Sequence, residues 1–203
     1  MTKSDMYAFK AVFFDIDGTL YPIKHLNKQF RKLYLRHPFR TINFFKARKR
    51  VRGEQLKSEK NIITRDEFIE IQARTVNKDK NYFDPIYKDI RKNRKLPPFD
   101  GLKELLLDLK SKGVMLGVLS DFPVETKLDE LDLGGYFELK LSSEDCGFLK
   151  PDKRAFDYLL AHTNLKASDC LYVGDSVRKD IDGARNAGLS SLLVDELLSI
   201  IKQ

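Results

Sequence analysis

Lys10-Ala11-Val12-Phe13-Phe14-Asp15-Ile16-Asp17-Gly18-Thr19-Leu20 runs from an apolar segment straight into two carboxylates two residues apart. A short unbroken apolar run, without polar alternation, is the pattern of a strand buried on both faces. Val114-Met115-Leu116-Gly117-Val118-Leu119, Cys170-Leu171-Tyr172-Val173-Gly174 and Ser190-Ser191-Leu192-Leu193-Val194 repeat that pattern. Phe137-Glu138-Leu139-Lys140-Leu141 alternates instead, as a half-exposed edge strand does.

Helical signals lie between these runs. Asp100 is placed to cap a helix with the stripe Leu102, Leu105, Leu106 and Leu109, and Gly113 stands near its end. Residues 123–133 carry Leu128 and Leu131 and stop at Gly134-Gly135. Pro151 suits the first turn of a helix carrying Phe156, Leu159 and Leu160. Asp182 to Ala187 reads as a short helix closed by Gly188. Strands alternating with helices predict an α/β fold on a mainly parallel sheet.

Residues 21–98 break the rhythm. Leu26, Phe30, Leu33 and Tyr34 recur at helical spacing. Thr64-Arg65-Asp66-Glu67 is a capping box ahead of Phe68, Ile71 and Val76, and Asp84-Pro85 opens a helix with Ile86 and Ile90. This block holds 22 Lys+Arg against 8 Asp+Glu, a net of +14. The remainder holds 15 against 22, a net of −7, and the two sum to the chain's +7. The expected organisation is an α/β core from residues 1–20 and 99–203, interrupted by an all-helical insertion at 21–98 that returns through Pro97-Pro98. The polar, basic stretch 46–60 reads as a mobile loop or an exposed helix.

Composition narrows the class. With 203 residues, 42% apolar and 33% charged, the chain can bury a core and is not of disordered composition. No apolar run is long enough for a membrane span, and Met1-Thr2-Lys3-Ser4-Asp5 has no apolar leader, so no membrane partner is expected. Cys146 and Cys170, the only cysteines, cannot build a disulfide framework or a four-cysteine zinc site, and a reducing cytoplasm is the expected setting.

In open parallel sheets ligands sit at the carboxyl ends of the strands. Those ends here carry Asp15-Ile16-Asp17-Gly18-Thr19, Ser120-Asp121 and Gly174-Asp175, with Asp180 five residues later and Lys150-Pro151-Asp152 between. Singly, each is an ordinary cap, turn residue or surface charge. Together they bring Asp15, Asp17 and Asp175 close enough to need a cation, and hard oxygen donors suit Mg²⁺.

Phe14-Asp15-Ile16-Asp17-Gly18-Thr19-Leu20, Ser120, Lys150-Pro151 and Gly174-Asp175-Ser176 with Asp180 together resemble the four motifs, in order, of the haloacid dehalogenase-like hydrolases. The resemblance implies a Rossmann-like three-layer core with a helical cap after the first strand. It makes Asp15 the nucleophile that forms an aspartyl-phosphate, and Asp17 the acid and then the base. It assigns Mg²⁺ to the Asp15 carboxylate, the Asp17 carbonyl and Asp175, with Asp180 binding it directly or through water. It gives the phosphoryl oxygens Ser120, Lys150, Thr19 and the backbone amides of the Gly18 and Asp121 turns. Asp17 favours phosphoryl transfer over dehalogenation, because an alkoxide needs a proton to leave and a halide does not.

The implied function is hydrolysis of a small phosphorylated substrate. A phosphomutase fits the same acid pair. Thr19-Leu20-Tyr21 after Asp17 is similar to the pyrimidine nucleotidase branch, though that branch has Asn where Gly18 stands here. Two other classes compete. A phospho-receiver module shares the acids, hydroxyl and lysine, but has no helical insertion after its first strand. A basic module for nucleic acid or an anionic membrane would use Lys46, Arg48, Lys49, Arg50 and Arg52. That cluster has only Phe44 and Phe45 before it, so nucleic acid is not the expected partner. A basic insertion over an acidic site also makes a positive approach path for an anionic substrate.

Overall fold

Phe14 lies level with Val118 on one neighbouring strand and with Val173 on the other, and this register decides where the loops after the strands meet. The computed structural model describes residues 1–55, 63–90 and 96–202. Its strands are β1 (Ala11–Phe14), β2 (Met115–Ser120), β3 (Leu139–Ser142), β4 (Cys170–Gly174) and β5 (Ser190–Leu193). They form one parallel sheet in the order β3-β2-β1-β4-β5. The unbroken apolar run of β1 is explained by its central place, with every residue buried. The alternating segment after Phe137 becomes the edge strand β3.

The helices are α1 (Lys3–Met6), α2 (Lys24–Arg36), α3 (Pro38–Gln55), α4 (Arg65–Arg74), α5 (Asp84–Ile90) and α6 (Leu102–Ser111). There follow α7 (Glu125–Glu130), α8 (Ser143–Cys146), α9 (Lys153–Ala161), α10 (Asp182–Asn186) and α11 (Val194–Ile201). Val12 and Phe14 pack with Leu106, Leu128 and Leu197, so α6, α7 and α11 cover one face of the sheet. Ala11 and Phe13 pack with Phe156, Leu159 and Ala184, so α9 and α10 cover the other. The result is a three-layer, Rossmann-like arrangement. Between β1 and α6, helices α2 to α5 gather a separate apolar cluster around Leu33, Phe44, Phe83 and Ile86. No helix among the described residues is long and apolar enough to cross a membrane.

Several local expectations are corrected. Asp100 does not cap α6. Gly101 holds that position with φ of +75°, and a Cβ there would lie 2.4 Å from Ile201, so glycine is required by both conformation and space. Pro151 is not in the first turn of α9: Asp152 is the N-cap, its side chain accepting from the Arg154 amide, and Pro151 precedes it. The 123–133 helix shrinks to α7, because Asp132 turns into the left-handed region before Gly134 is reached. Val76 falls beyond α4, while the Thr64–Glu67 capping box forms as read. Residues 46–55 are helical rather than a loop, with Lys46, Lys49, Arg50, Gly53 and Glu54 exposed but one face turned inward. They continue α3, whose Phe44, Ala47, Arg48 and Val51 are buried. Residues 56–60 of that expectation lie outside the described residues.

The ring of Phe156 meets Tyr172 of β4 edge-on at 5.1 Å and is fully buried. Phe156→Ala should therefore cost about 3–5 kcal/mol. A urea-unfolding midpoint displaced accordingly, at constant slope, is the check.

Candidate active site

The parallel register brings the ends of β1, β2 and β4 to one rim. Asp15 follows β1 directly, and its amide donates to the Val173 carbonyl at 2.8 Å. Ser120 closes β2, and Asp175 follows β4. Gly18 has φ of +90°, and a Cβ there would stand 2.4 Å from an Asp175 carboxylate oxygen. Glycine thus lets the β1 loop turn against the β4 loop.

Carboxylate oxygens of Asp15, Asp175 and Asp180 all lie within 4.8 Å of one another. Asp180 is buried and accepts from the Ser176 amide at 3.0 Å. Lys150 is buried among them. Its ammonium donates to Asp15 Oδ1 at 2.8 Å, Asp180 Oδ1 at 2.6 Å, the Tyr172 hydroxyl at 2.8 Å and the Leu119 carbonyl at 3.2 Å. Burial works against the charged lysine, but the two carboxylates override it and raise its pKa. Burial also raises the Asp15 pKa; Lys150 opposes the shift and Asp180 and Asp17 add to it. Asp175 is raised by burial and by Asp180. Three crowded hard-oxygen donors that resist ionising together fit a divalent cation such as Mg²⁺.

Asp17 sits on the same loop with its carboxylate turned away from that trio. Its Oδ1 accepts from the Tyr21 hydroxyl and the Lys127 ammonium, and its buried Oδ2 has no partner among the described residues. The Thr19 hydroxyl points at Asp15 Oδ2 across 3.5 Å. The Ser120 oxygen is buried and accepts from the Phe122 amide at 3.3 Å. The Asp121 carboxylate is spent within the protein: Oδ1 accepts from Ser143 and the Lys150 amide, and Oδ2 from Arg52 at 2.8 Å. Burial would raise Asp121, yet Arg52, Lys150 and Arg48 carry it well below the usual carboxylate range. Both oxygens of the Asp121 side chain are thus paired within the protein.

Above the rim lies a cavity of about 230 Å³, bounded on one side by the helical insertion and open to solvent. Its lining includes Asp15, Asp17, Ser120, Lys150 and Asp175 below, and Leu26, Phe30, Phe45, Arg48, Lys49 and Arg52 from α2 and α3. Arg48 is buried; it donates to Glu144 Oε1 and the Asp121 carbonyl and lies 4.3 Å over the Phe122 ring. Arg52 donates to Asp121 and, at 2.7 Å, to the Lys150 carbonyl. Arg65 and the Tyr87 hydroxyl also reach Glu144.

Sequence reasoning missed four participants. Arg48 and Arg52 sit in a run that reads as one solvated basic patch. The apolar spacing Phe44, Ala47, Val51 was the signal that α3 continues and turns Arg48 inward. Lys127 and Tyr21 carry no motif, and only the packing of α7 and the β1 loop brings them to Asp17.

The family model described as haloacid dehalogenase-like hydrolase matches residues 9–188. A glyceraldehyde 3-phosphate phosphatase from Methanothermobacter thermautotrophicus is 31% identical over 202 residues, covering 94% of this chain and 87% of that one. A ribulose-1,5-bisphosphate 5-phosphatase from Halopiger xanaduensis is 35% identical over 96 residues, 46% of this chain and 40% of that one. Among solved structures, the HAD-hydrolase YfnB from Bacillus subtilis, bound to magnesium, superposes with a TM-score of 0.66 at 20% identity, over 96% of this chain and 99% of that one. The L-2-haloacid dehalogenase from Xanthobacter autotrophicus gives 0.63 at 18% identity, over 90% and 76%. At such identities the structural likeness speaks for the fold.

Arg48 and Glu144 form a buried ion pair between the insertion and the sheet domain. Arg48→Met takes from the buried Glu144 its closer cation and leaves it Arg65 at 3.4 Å and the Tyr87 hydroxyl, so it should lose up to about 3–5 kcal/mol of stability. Arg48→Met with Glu144→Leu should recover most of that loss in urea unfolding. A single-variant loss below about 1 kcal/mol would mark the pair as an ordinary hydrated bridge.

Proposed function

The chain belongs to the haloacid dehalogenase-like hydrolases, and on that premise we propose that it is a Mg²⁺-dependent phosphatase of small phosphomonoesters working through an aspartyl-phosphate. One observation carries the reading: Asp17 offers an unpartnered buried oxygen two residues from Asp15, at a rim where Asp15, Asp175, Asp180 and Lys150 converge. The full-length relative named for a triose phosphate supports a phosphatase. The cavity supports a small substrate. An apolar cavity of about 150 Å³ takes a benzene, so about 230 Å³ has room for a phosphoryl group with a tail of a few heavy atoms.

In this reading Asp15 attacks phosphorus and the ester oxygen departs. Asp17 gives that oxygen a proton through Oδ2, then takes one from the water that hydrolyses the acyl-phosphate. Tyr21 and Lys127 hold Oδ1, which fixes the direction of the free oxygen. Ser120, Thr19 and the amides of the Gly18 and Asp121 turns receive phosphoryl oxygens. Lys150 offsets charge on Asp15 and the group it accepts. Asp15, Asp175 and the Asp17 carbonyl would hold Mg²⁺, with Asp180 beside them. The cation supplies positive charge to the nucleophile and the phosphoryl oxygens. Residues 21–98 act as the cap that closes the site over the substrate, and residues 1–20 and 99–203 as the catalytic core.

Asp15→Asn should lower p-nitrophenyl phosphate turnover by about 10³-fold or more while keeping the wild-type unfolding midpoint. Chelator should abolish wild-type activity and Mg²⁺ restore it. Asp17→Asn should cost about 10²–10⁴-fold on an alkyl phosphate. It should cost less on p-nitrophenyl phosphate, whose leaving group departs without a proton. An Asp15→Asn variant keeping a tenth of the activity, or full activity without metal, refutes the assignment.

A further inference from the structure

The cavity wall above the catalytic rim is uneven in charge. Phe45, Arg48, Lys49 and Arg52 recur at intervals of three, four and seven residues, so one face of α3 forms that part of the wall. Opposite and around it stand Ile23, Leu26, Phe30 and Phe122, which offer a substrate no hydrogen bond from their side chains.

Five cations line the cavity, and their partners separate them. Arg48 is committed to Glu144 and the Asp121 carbonyl, and Arg52 to Asp121 and the Lys150 carbonyl. Lys150 is committed to Asp15 and Asp180. Lys179 belongs to the lower rim, where its charge favours the ionised forms of Asp15, Asp175 and Asp121. Lys49 lines the cavity from the insertion and has no ion pair or hydrogen bond among the described residues. Lys46, Lys49 and Arg50 are all exposed, but of the three it is Lys49 that lines the cavity, at its solvent side, while Arg50 donates to the Thr75 carbonyl.

We propose that Lys49 is a specificity-determining residue that binds a second anionic group, a carboxylate or a phosphate, at the end of the substrate remote from the transferred phosphoryl group. This rests on the phosphatase reading above. A tail lying between the rim and α3 meets Ile23, Leu26, Phe30, Phe45 and Phe122, and on the insertion side of the wall Lys49 is the ammonium without a partner among the described residues, as Lys179 is on the rim side. A charged group that ends beside Lys49 replaces its lost hydration with a charge-assisted hydrogen bond. An uncharged hydroxyl terminus gains less, so the residue discriminates between tails of equal size.

The test is a ratio. For wild type, Lys49→Met and Lys49→Arg, kcat/KM is measured on 3-phosphoglycerate against glycerol 3-phosphate, and on propane-1,3-diol bisphosphate against propyl phosphate. The first pair reads a carboxylate tail and the second a phosphate tail. Lys49→Met should lower the charged-to-uncharged ratio about tenfold in at least one pair, mainly through KM, and Lys49→Arg should restore most of it. The same ratios are read as binding affinities by calorimetry on Asp15→Asn with and without Lys49→Met, which needs no turnover. Ratios that Lys49→Met leaves unmoved in both pairs, or a failure of Asp15→Asn to bind either charged compound more tightly than its uncharged partner, overturns the assignment to Lys49. Failure of the phosphatase reading shows itself separately, as wild type inactive on p-nitrophenyl phosphate with Mg²⁺ present.

Discussion

The ammonium of Lys150 is the contact on which this molecule depends. A parallel sheet with β1 at its centre delivers acidic loops from adjacent strands to one place. Left alone, Asp15, Asp175 and Asp180 would repel one another in a buried setting. Lys150 bridges two of them, and its own hydrogen bonds to Tyr172 and Leu119 tie it to β4 and β2. Tyr172 in turn packs on Phe156 of α9. The electrostatics of the rim and the apolar layer beneath it are therefore one construction: the side chain that balances the acids is itself positioned by the sheet.

A second use of positive charge joins the helical insertion to the sheet. Arg48 and Arg52 leave the insertion to satisfy Glu144, Asp121 and the Lys150 carbonyl. The same Asp121 receives the Lys150 amide. Insertion and rim loops thus share hydrogen-bond partners. The stacking of Arg48 over Phe122 adds an apolar and cation–π component to that seam. A strongly basic segment need not face a polyanion; here part of its charge neutralises carboxylates of its own chain.

Asp15 and Asp17, two residues apart, stand in different environments. Asp15 faces Asp175, Asp180 and Lys150, whereas Asp17 faces Tyr21 and Lys127. With one oxygen held and the other buried without a partner among the described residues, the Asp17 carboxylate has a fixed orientation. Two side chains from different parts of the chain, one on the β1 loop and one on α7, establish it.

The alternation of buried apolar runs with helical stripes was enough to determine the α/β class, the strands and the basic helical segment, because these patterns are local and periodic. The rim residues Asp15, Asp17, Ser120, Lys150, Asp175 and Asp180 were legible for a related reason: in a parallel sheet, residues just past the strands must share an edge. Caps were less legible. Asp100 has the right side chain for a cap, but the space beside Ile201 and a positive φ gave that place to Gly101. The run Lys46 to Arg52 was the least legible. Charge along a chain says nothing of direction, and one helical turn sends Arg48 into a buried ion pair, Lys49 to the cavity and Arg50 to a neighbouring carbonyl. Only the packing of α3 against both the insertion and the sheet domain decides which cation is paired and which is left open, since that depends on distances between segments far apart in sequence.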